Sequence, residues 1–336
     1  MNEIFLDAGT KGYQAYLTAV RNWWGSTVFS NMYNEDEQIA SSAYVVFSAL
    51  ENAMQNLKYS GTHGIVPTTE TQREELLKLL KNKPEGKAEL VLNPDLELPD
   101  YYTSVDFHHH EGGTFSSPVS GFVYEYFSGS TTRMVDKSRD MHYRFTKEIK
   151  QVTVDPNSVI VDAGCGFGKS TQAISNEFND AEIYGVDISA PLLDLAHLRA
   201  RQLDKRISYR QENCTSTNFA SGSVDTIGAS MLIHELAKPA ILDFFQESRR
   251  ILKKGGHLVC MDFYVLSDHK KDLKEALHLG HSSRNNEPYM KDLLELDLPQ
   301  VLSDAGFEVV KIEGVMQSDS TDEWALPWTF IVAKAA

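Results

Sequence analysis

Apolar residues recur every three or four positions in "YQAYLTAVRNWW" and "IASSAYVVFSALENAMQNL", a period that gathers them on one broad face of a helix. These segments, from about Lys11 to Asn56, predict helices packed on each other. A further helix is predicted over "PTTETQREELLKLLKNK", opened by a Thr/Glu capping pattern after Pro67 and closed before Pro84. Prolines between Glu85 and Asp100 interrupt short apolar runs, which reads as a linker or a small strand.

From Tyr101 to about Met141 the periodicity fades into "YYTSVDFHHHEGGTFSSPVSGFVYEYFSGS". A connection this long is either disordered or functional, and so many aromatics argue against disorder. It reads as an ordered cover over a pocket. From Ser158 onward strands alternate with helices: "SVIVDA", "AEIYGVD", "ISYRQ", "VDTIGAS" and "GHLVCMDF" are separated by segments such as "APLLDLAHLRARQL" and "KPAILDFFQESRRILKK". That alternation predicts a parallel sheet with helices on both faces. The last strands, in "GFEVVKIEGV" and "ALPWTFIVAKA", are placed to pair as an antiparallel hairpin. The expected fold is α/β: a Rossmann-like, doubly wound, mostly parallel sheet of seven strands. The expected organisation is a helical N-terminal domain over 1–100, an aromatic and histidine-rich lid or connector over 101–148, and the sheet domain over 149–336.

Composition narrows the partner. Hydrophobic residues at 42% and charged residues at 24% are ordinary for a globular chain. The net charge of −15, with no long basic stripe to reverse it, disfavours nucleic acid and anionic membrane surfaces. A small-molecule substrate is favoured. Cys165, Cys214 and Cys260 form no CxxC pair and read as thiols of a reducing compartment. No run approaches the roughly 20 apolar residues that span a bilayer, and no signal-peptide pattern opens the chain. The expectation is a cytoplasmic protein without membrane insertion.

The stretch "VIVDAGCGFGKSTQAI" sets a strand, a burst of glycines and a helix in succession, which brings backbone amides and a helix N-terminus to the carboxyl edge of the sheet. Dinucleotide sites space their glycines G-x-G-x-x-G. Gly164, Gly166 and Gly168 follow G-x-G-x-G instead. Asp187 then closes the second strand in "IYGVDIS".

Together with "RRILKKGG", these motifs resemble the class I S-adenosylmethionine-dependent methyltransferases of small molecules, over roughly Met141 to Ala336. The flavour is similar to the ubiquinone/menaquinone, sterol and natural-product enzymes. "VYEYFSG" and "SRDMHYRF" also resemble segments that precede the glycine loop in sterol C-methyltransferases. The resemblance implies S-adenosyl-L-methionine as cofactor, held by Asp162, Gly164, Gly166, Gly168, Asp187, Ile188, Asn213 and Cys214. Asn213 stands near where family members usually carry an Asp, and its amide can still pair with adenine. Asp162 either contacts the cofactor's amino group or caps local amides. Dimerisation is common in resembling enzymes, which makes a homodimer through the N-terminal helices one expectation and an active-site cap from the same helices the other.

Methyl transfer from a sulfonium is mostly a matter of positioning. A base matters when the acceptor is a hydroxyl or an acidic carbon. His234 and Glu235, in "MLIHELAKP" after the fourth strand, are the catalytic candidates, with His234 as base or orienter because an imidazole titrates near working pH. In extended backbone, "DFHHHEGG" would put Asp106, His108 and His110 on one face, a set open to substrate, to zinc or iron, or to packing alone. Substrate recognition by His108 and His110 is preferred and no metal is expected. Tyr126, Tyr143, His278 and His281 complete the acceptor-side candidates; Tyr124 and Phe127 are further candidate walls. The function expected is methyl transfer to a small molecule, at oxygen or carbon. The alternative is a non-methylating member of the same fold, a cyclase or a regulatory binding protein that keeps the cofactor as scaffold.

Overall fold

The computed structural model describes residues 4–23, 27, 37–131, 141–263, 280, 282–315 and 328–336. The N-terminal part is helical: α1 (Ala8–Trp23), α2 (Glu37–Ser60), α3 (Ile65–Glu70) and α4 (Arg73–Lys81). The single helix expected around Pro67 is two, split at Thr71 and Gln72. The hydroxyls of Thr68 and Thr69 donate back to the carbonyls of Gly64 and Ile65 at 2.7 Å each, so these threonines sit inside the first helix instead of capping the second.

Next come β1 (Glu89–Val91), α5 (Asp100–Thr103), α6 (Ser120–Thr131) and α7 (Met141–Val152). The alternating part runs β2 (Val159–Ala163), α8 (Lys169–Glu177), β3 (Glu182–Asp187), α9 (Ala190–Gln202) and β4 (Ser208–Gln211). It continues through β5 (Val224–Ser230), α10 (Lys238–Ile251) and β6 (Leu252–Asp262). Last are α11 (Met290–Leu294), α12 (Leu298–Asp304), β7 (Phe307–Val315) and β8 (Trp328–Ala335).

The sheet has eight described strands in the order β1-β4-β3-β2-β5-β6-β8-β7. Pairs from β1 to β6 are parallel, and β8 runs antiparallel to both β6 and β7. The Rossmann-like, mostly parallel sheet with its antiparallel end is as expected. The strand beyond the expected seven is β1, the small strand that the 85–100 stretch had left open. It adds to β4 with Leu90 opposite Tyr209.

Alternation along each strand splits the core into two layers. Ile160 and Ile183 face Phe145, Ile149, Ile174 and Leu193, while Val161 and Val186 face Ile241, Phe244 and Phe245. A third cluster joins Ile65, Leu76 and Leu80 to Phe122, Val123, Leu195 and Leu198. The N-terminal helices thereby cover α6 and the outer side of α9. The strand order reverses between β2 and β5, and open sheets bind ligands at the carboxyl ends beside such a reversal. Among the described residues, no helix is long and apolar enough to cross a membrane.

Candidate active site

Between β2 and α8 the backbone turns through three left-handed glycines, with φ of 65° at Gly164, 52° at Gly166 and 82° at Gly168. Gly168 has a packing reason as well: a Cβ there would lie 2.5 Å from the Tyr209 hydroxyl and 2.9 Å from Ala196 Cβ. Gly166 differs. Nothing stands within 4 Å of where its Cβ would be, so the backbone there borders open space that a ligand can fill.

Asp187 ties the tip of β3 to this turn. Its Oδ2 accepts from Gly166 N at 2.8 Å and its Oδ1 from Ser189 N at 2.8 Å. Burial pushes its carboxyl up to about 6, against the pull of the Ser189 and Gly166 amides. Asp162 is fully buried, and its Oδ2 accepts from the Ser170 and Thr171 hydroxyls at 2.6 Å each. Its Oδ1 is buried without a hydrogen-bond partner. Burial pushes this carboxyl also up to about 6. Asp162 therefore fixes the first turn of α8 with one oxygen, while the other finds no partner among the described residues.

The neighbouring candidates frame the same edge. The Ile188 carbonyl accepts from Gln211 Nε2 at 3.1 Å. Asn213 Oδ1 accepts from the Thr215 amide at 3.0 Å and its hydroxyl at 2.9 Å, a local turn that shapes the loop after β4. Burial, then the nearby Asp187, pushes the Cys214 thiol up to about 12.

Across the strand reversal, a 3₁₀ turn at Ile233–Glu235 follows β5. His234 Nδ1 lies 2.6 Å from Asp262 Oδ1, and Asp262 also accepts from the amides of Ile233 at 2.6 Å and Phe263 at 2.7 Å. Burial works against a charged ring, but Asp262 and then Glu287 and Glu235 outweigh it and push the imidazole up to about 10. The carboxylates around His234 favour its charged form, a bias away from the titration near working pH expected of a free imidazole.

Beside it, His108 Nε2 lies 3.0 Å from Glu235 Oε1 and 2.9 Å from the Tyr124 hydroxyl, while His108 Nδ1 lies 3.3 Å from Glu287 Oε1. Tyr124 donates to Glu235 Oε1 at 3.3 Å. Burial opposes ionisation of both His108 and Glu235; each then favours the other's charge, holding the imidazole up and the carboxylate down.

The loop that presents His108 is a 3₁₀ turn, Phe107–His109, with left-handed backbone at His108 and His109. It is anchored to the chain around 284–287: Asn286 Nδ2 donates to the Asp106 carbonyl at 2.9 Å, and His109 Nε2 donates to the Arg284 carbonyl at 2.7 Å. The extended alternation expected for Asp106, His108 and His110 is therefore absent. Asp106 caps the Gly112 amide at 2.8 Å. His110 turns inward beside Ser120 at 3.4 Å, only 2% exposed, and burial pushes its ring down to about 4.

Residues 160–256 match the model of a family described as a methyltransferase domain, and that span holds the glycine turn, Asp187 and the His234–Glu235 turn. This segment is a class I methyltransferase domain.

Curated relatives extend the likeness unevenly. Phosphoethanolamine N-methyltransferase 1 of Arabidopsis thaliana is 26% identical over 53% of this chain and 34% of its own length. Sterol 24-C-methyltransferase of Kluyveromyces lactis is 23% identical over 82% of this chain and 73% of its own. Geranyl diphosphate 2-C-methyltransferase of Streptomyces coelicolor is 35% identical over 31% of this chain and 35% of its own. The chain thus spans about a third of the length of the Arabidopsis and Streptomyces relatives.

The remaining candidates scatter. Tyr126 packs against Phe127 within the helical cluster that backs α9. Tyr143 is 38% exposed on α7, with Lys147 Nζ 4.7 Å from its ring centre, and is not drawn into the methyltransferase domain's polar centre. His278 and His281 lie outside the described residues. Three residues of the site went unnoticed in the sequence: Tyr102, Asp262 and Glu287. Tyr102 shares a hydrogen bond with Thr114, and Asp187 is among the charges that raise its phenol. Asp262 had a signal, being an acid at the end of the otherwise apolar "LVCMD". Glu287, in the polar stretch "RNNEPY", had none.

Proposed function

We propose that the chain binds S-adenosyl-L-methionine at the glycine turn and methylates a small-molecule acceptor at carbon or oxygen. The observation that carries this is the cradle: open space beside Gly166, the Asp187 carboxylate at the tip of β3, and the unpartnered Oδ1 of Asp162. A ribose diol suits Asp187, a donor such as the cofactor's ammonium suits Asp162, and the loop at Asn213 and Cys214 suits the adenine side. When bound, the cofactor supplies an electrophilic methyl group and a good leaving group. This chain supplies alignment and exclusion of water.

On the acceptor side, Asp262 fixes His234 through Nδ1 and leaves Nε2 to orient the acceptor. His108, Tyr124 and Glu235 form the adjoining wall, which supports reading 101–148 as a lid. Carbon is favoured as the methylated atom because two of the relatives above are named C-methyltransferases.

Incubating the protein and a cell extract with methyl-labelled S-adenosylmethionine tests the reading by mass spectrometry. The expected outcome is a labelled product with an equal amount of S-adenosylhomocysteine. A product without S-adenosylhomocysteine would leave the cofactor as a scaffold only, and no binding of S-adenosylmethionine would end the proposal.

A further inference from the structure

We propose that His108, Glu235 and Glu287 form a site for one divalent transition-metal cation beside the methyl-transfer pocket. One ligand atom from each of the three lies within 4.8 Å of the other two, and His108 Nε2 is already 3.0 Å from Glu235 Oε1. A cation with bonds of about 2.1 Å sets neighbouring donor atoms about 3.0–3.4 Å apart; His108 gives it one ring nitrogen, so of the two carboxylates, Glu235 at Nε2 and Glu287 at Nδ1, one must turn toward the nitrogen the other faces. One imidazole and two carboxylates are a mixed donor set, suited to Mn²⁺, Fe²⁺ or Zn²⁺.

The surroundings hold the ligands in place. Asn286 and the Arg284 carbonyl lock the His108 turn, and Tyr124 bridges His108 and Glu235. Glu287 is 1% exposed at its side chain, whereas His108 and Glu235 remain 15% and 21% exposed. Three protein ligands with one accessible side leave coordination positions for an acceptor that offers carbonyl or anionic oxygens. His234 Nε2, 4.0 Å from Glu235 Oε1, stands next to that position.

The test uses the full chain, stripped with a chelator and titrated with MnCl₂, followed by loss of the free Mn²⁺ resonance signal, and with ZnCl₂ by calorimetry. One cation per chain is expected, with His108→Ala and Glu287→Gln each weakening it at least tenfold. Circular dichroism melts confirm that the variants fold. Should either fail to fold, Glu287→Asp takes its place, and a several-fold loss is expected from its shorter arm. No saturable binding of either ion, or affinity unchanged in the folded variants, overturns the site. The proposal stands apart from the methyl-transfer reading: a chain that binds the cation but not S-adenosylmethionine would sink that reading alone.

Discussion

Two polar clusters at the carboxyl edge of the sheet are built in opposite ways. The proposed cofactor side is nearly contiguous: Asp162 through Thr171 form strand, turn and helix start, and Asp187 adds one more strand end. The proposed acceptor side draws His108, Glu235, Asp262 and Glu287 from four distant parts of the chain. The first is held mostly by backbone amides and hydroxyls. The second is held by charges facing each other away from water.

The sharpest break in this contrast is removal of Asp262. Taking one partner from a buried ion pair strands the other, so Asp262→Ala should lower stability by about 3 kcal/mol in urea unfolding. A loss under about 1 kcal/mol would mean that His234 is not held as an imidazolium. On the cofactor side, Asp187→Ala removes a charged acceptor while the turn keeps its glycines. S-adenosylmethionine affinity should fall about 30-fold, equivalent to about 2 kcal/mol. Unchanged affinity in calorimetry would detach Asp187 from the ribose.

Acidity sharpens the reading of the cofactor side, where cofactor binding and the fold respond differently. Asp187, raised from 3.8 to about 6, loses its charge below that pH, and cofactor affinity should drop about tenfold per pH unit there. The fold itself responds with the opposite sign. A carboxyl raised from 3.8 to about 6, as Asp162 is, contributes stability that is fully present below 3.8 and lost as pH rises through 6. Asp162→Asn should flatten that part of the stability profile between pH 4 and pH 7; a profile identical to the parent's would show that Asp162 is not the group titrating. The smallest effect belongs to Tyr143→Ala. On an exposed face it should change stability by no more than about 0.5 kcal/mol and leave cofactor affinity unaltered, and a large loss of turnover would return Tyr143 to the acceptor wall.

The same contrast explains what was legible beforehand. Strand and helix periods, the G-x-G-x-G turn and Asp187 are local signals, and the mostly parallel sheet with its antiparallel end and the turn at its carboxyl edge follow from them. The split at Thr71 and Gln72 was hidden because a helix-interior threonine and a capping one look alike in sequence. The His108 turn was misjudged because its left-handed backbone depends on anchors near residue 285, which no local pattern encodes. Glu287 was invisible for the same reason: its meaning arises only when His108 arrives opposite it.

Cys165 sits inside the glycine turn, 5% exposed, and burial keeps its thiol protonated well above the ordinary range. Alkylating reagents attack the thiolate and need access to it. Labelling of this sulfur therefore waits on the turn swinging open, and its rate becomes a clock for that motion. A molecule lodged in the turn would slow the clock without any dye being engineered into the chain.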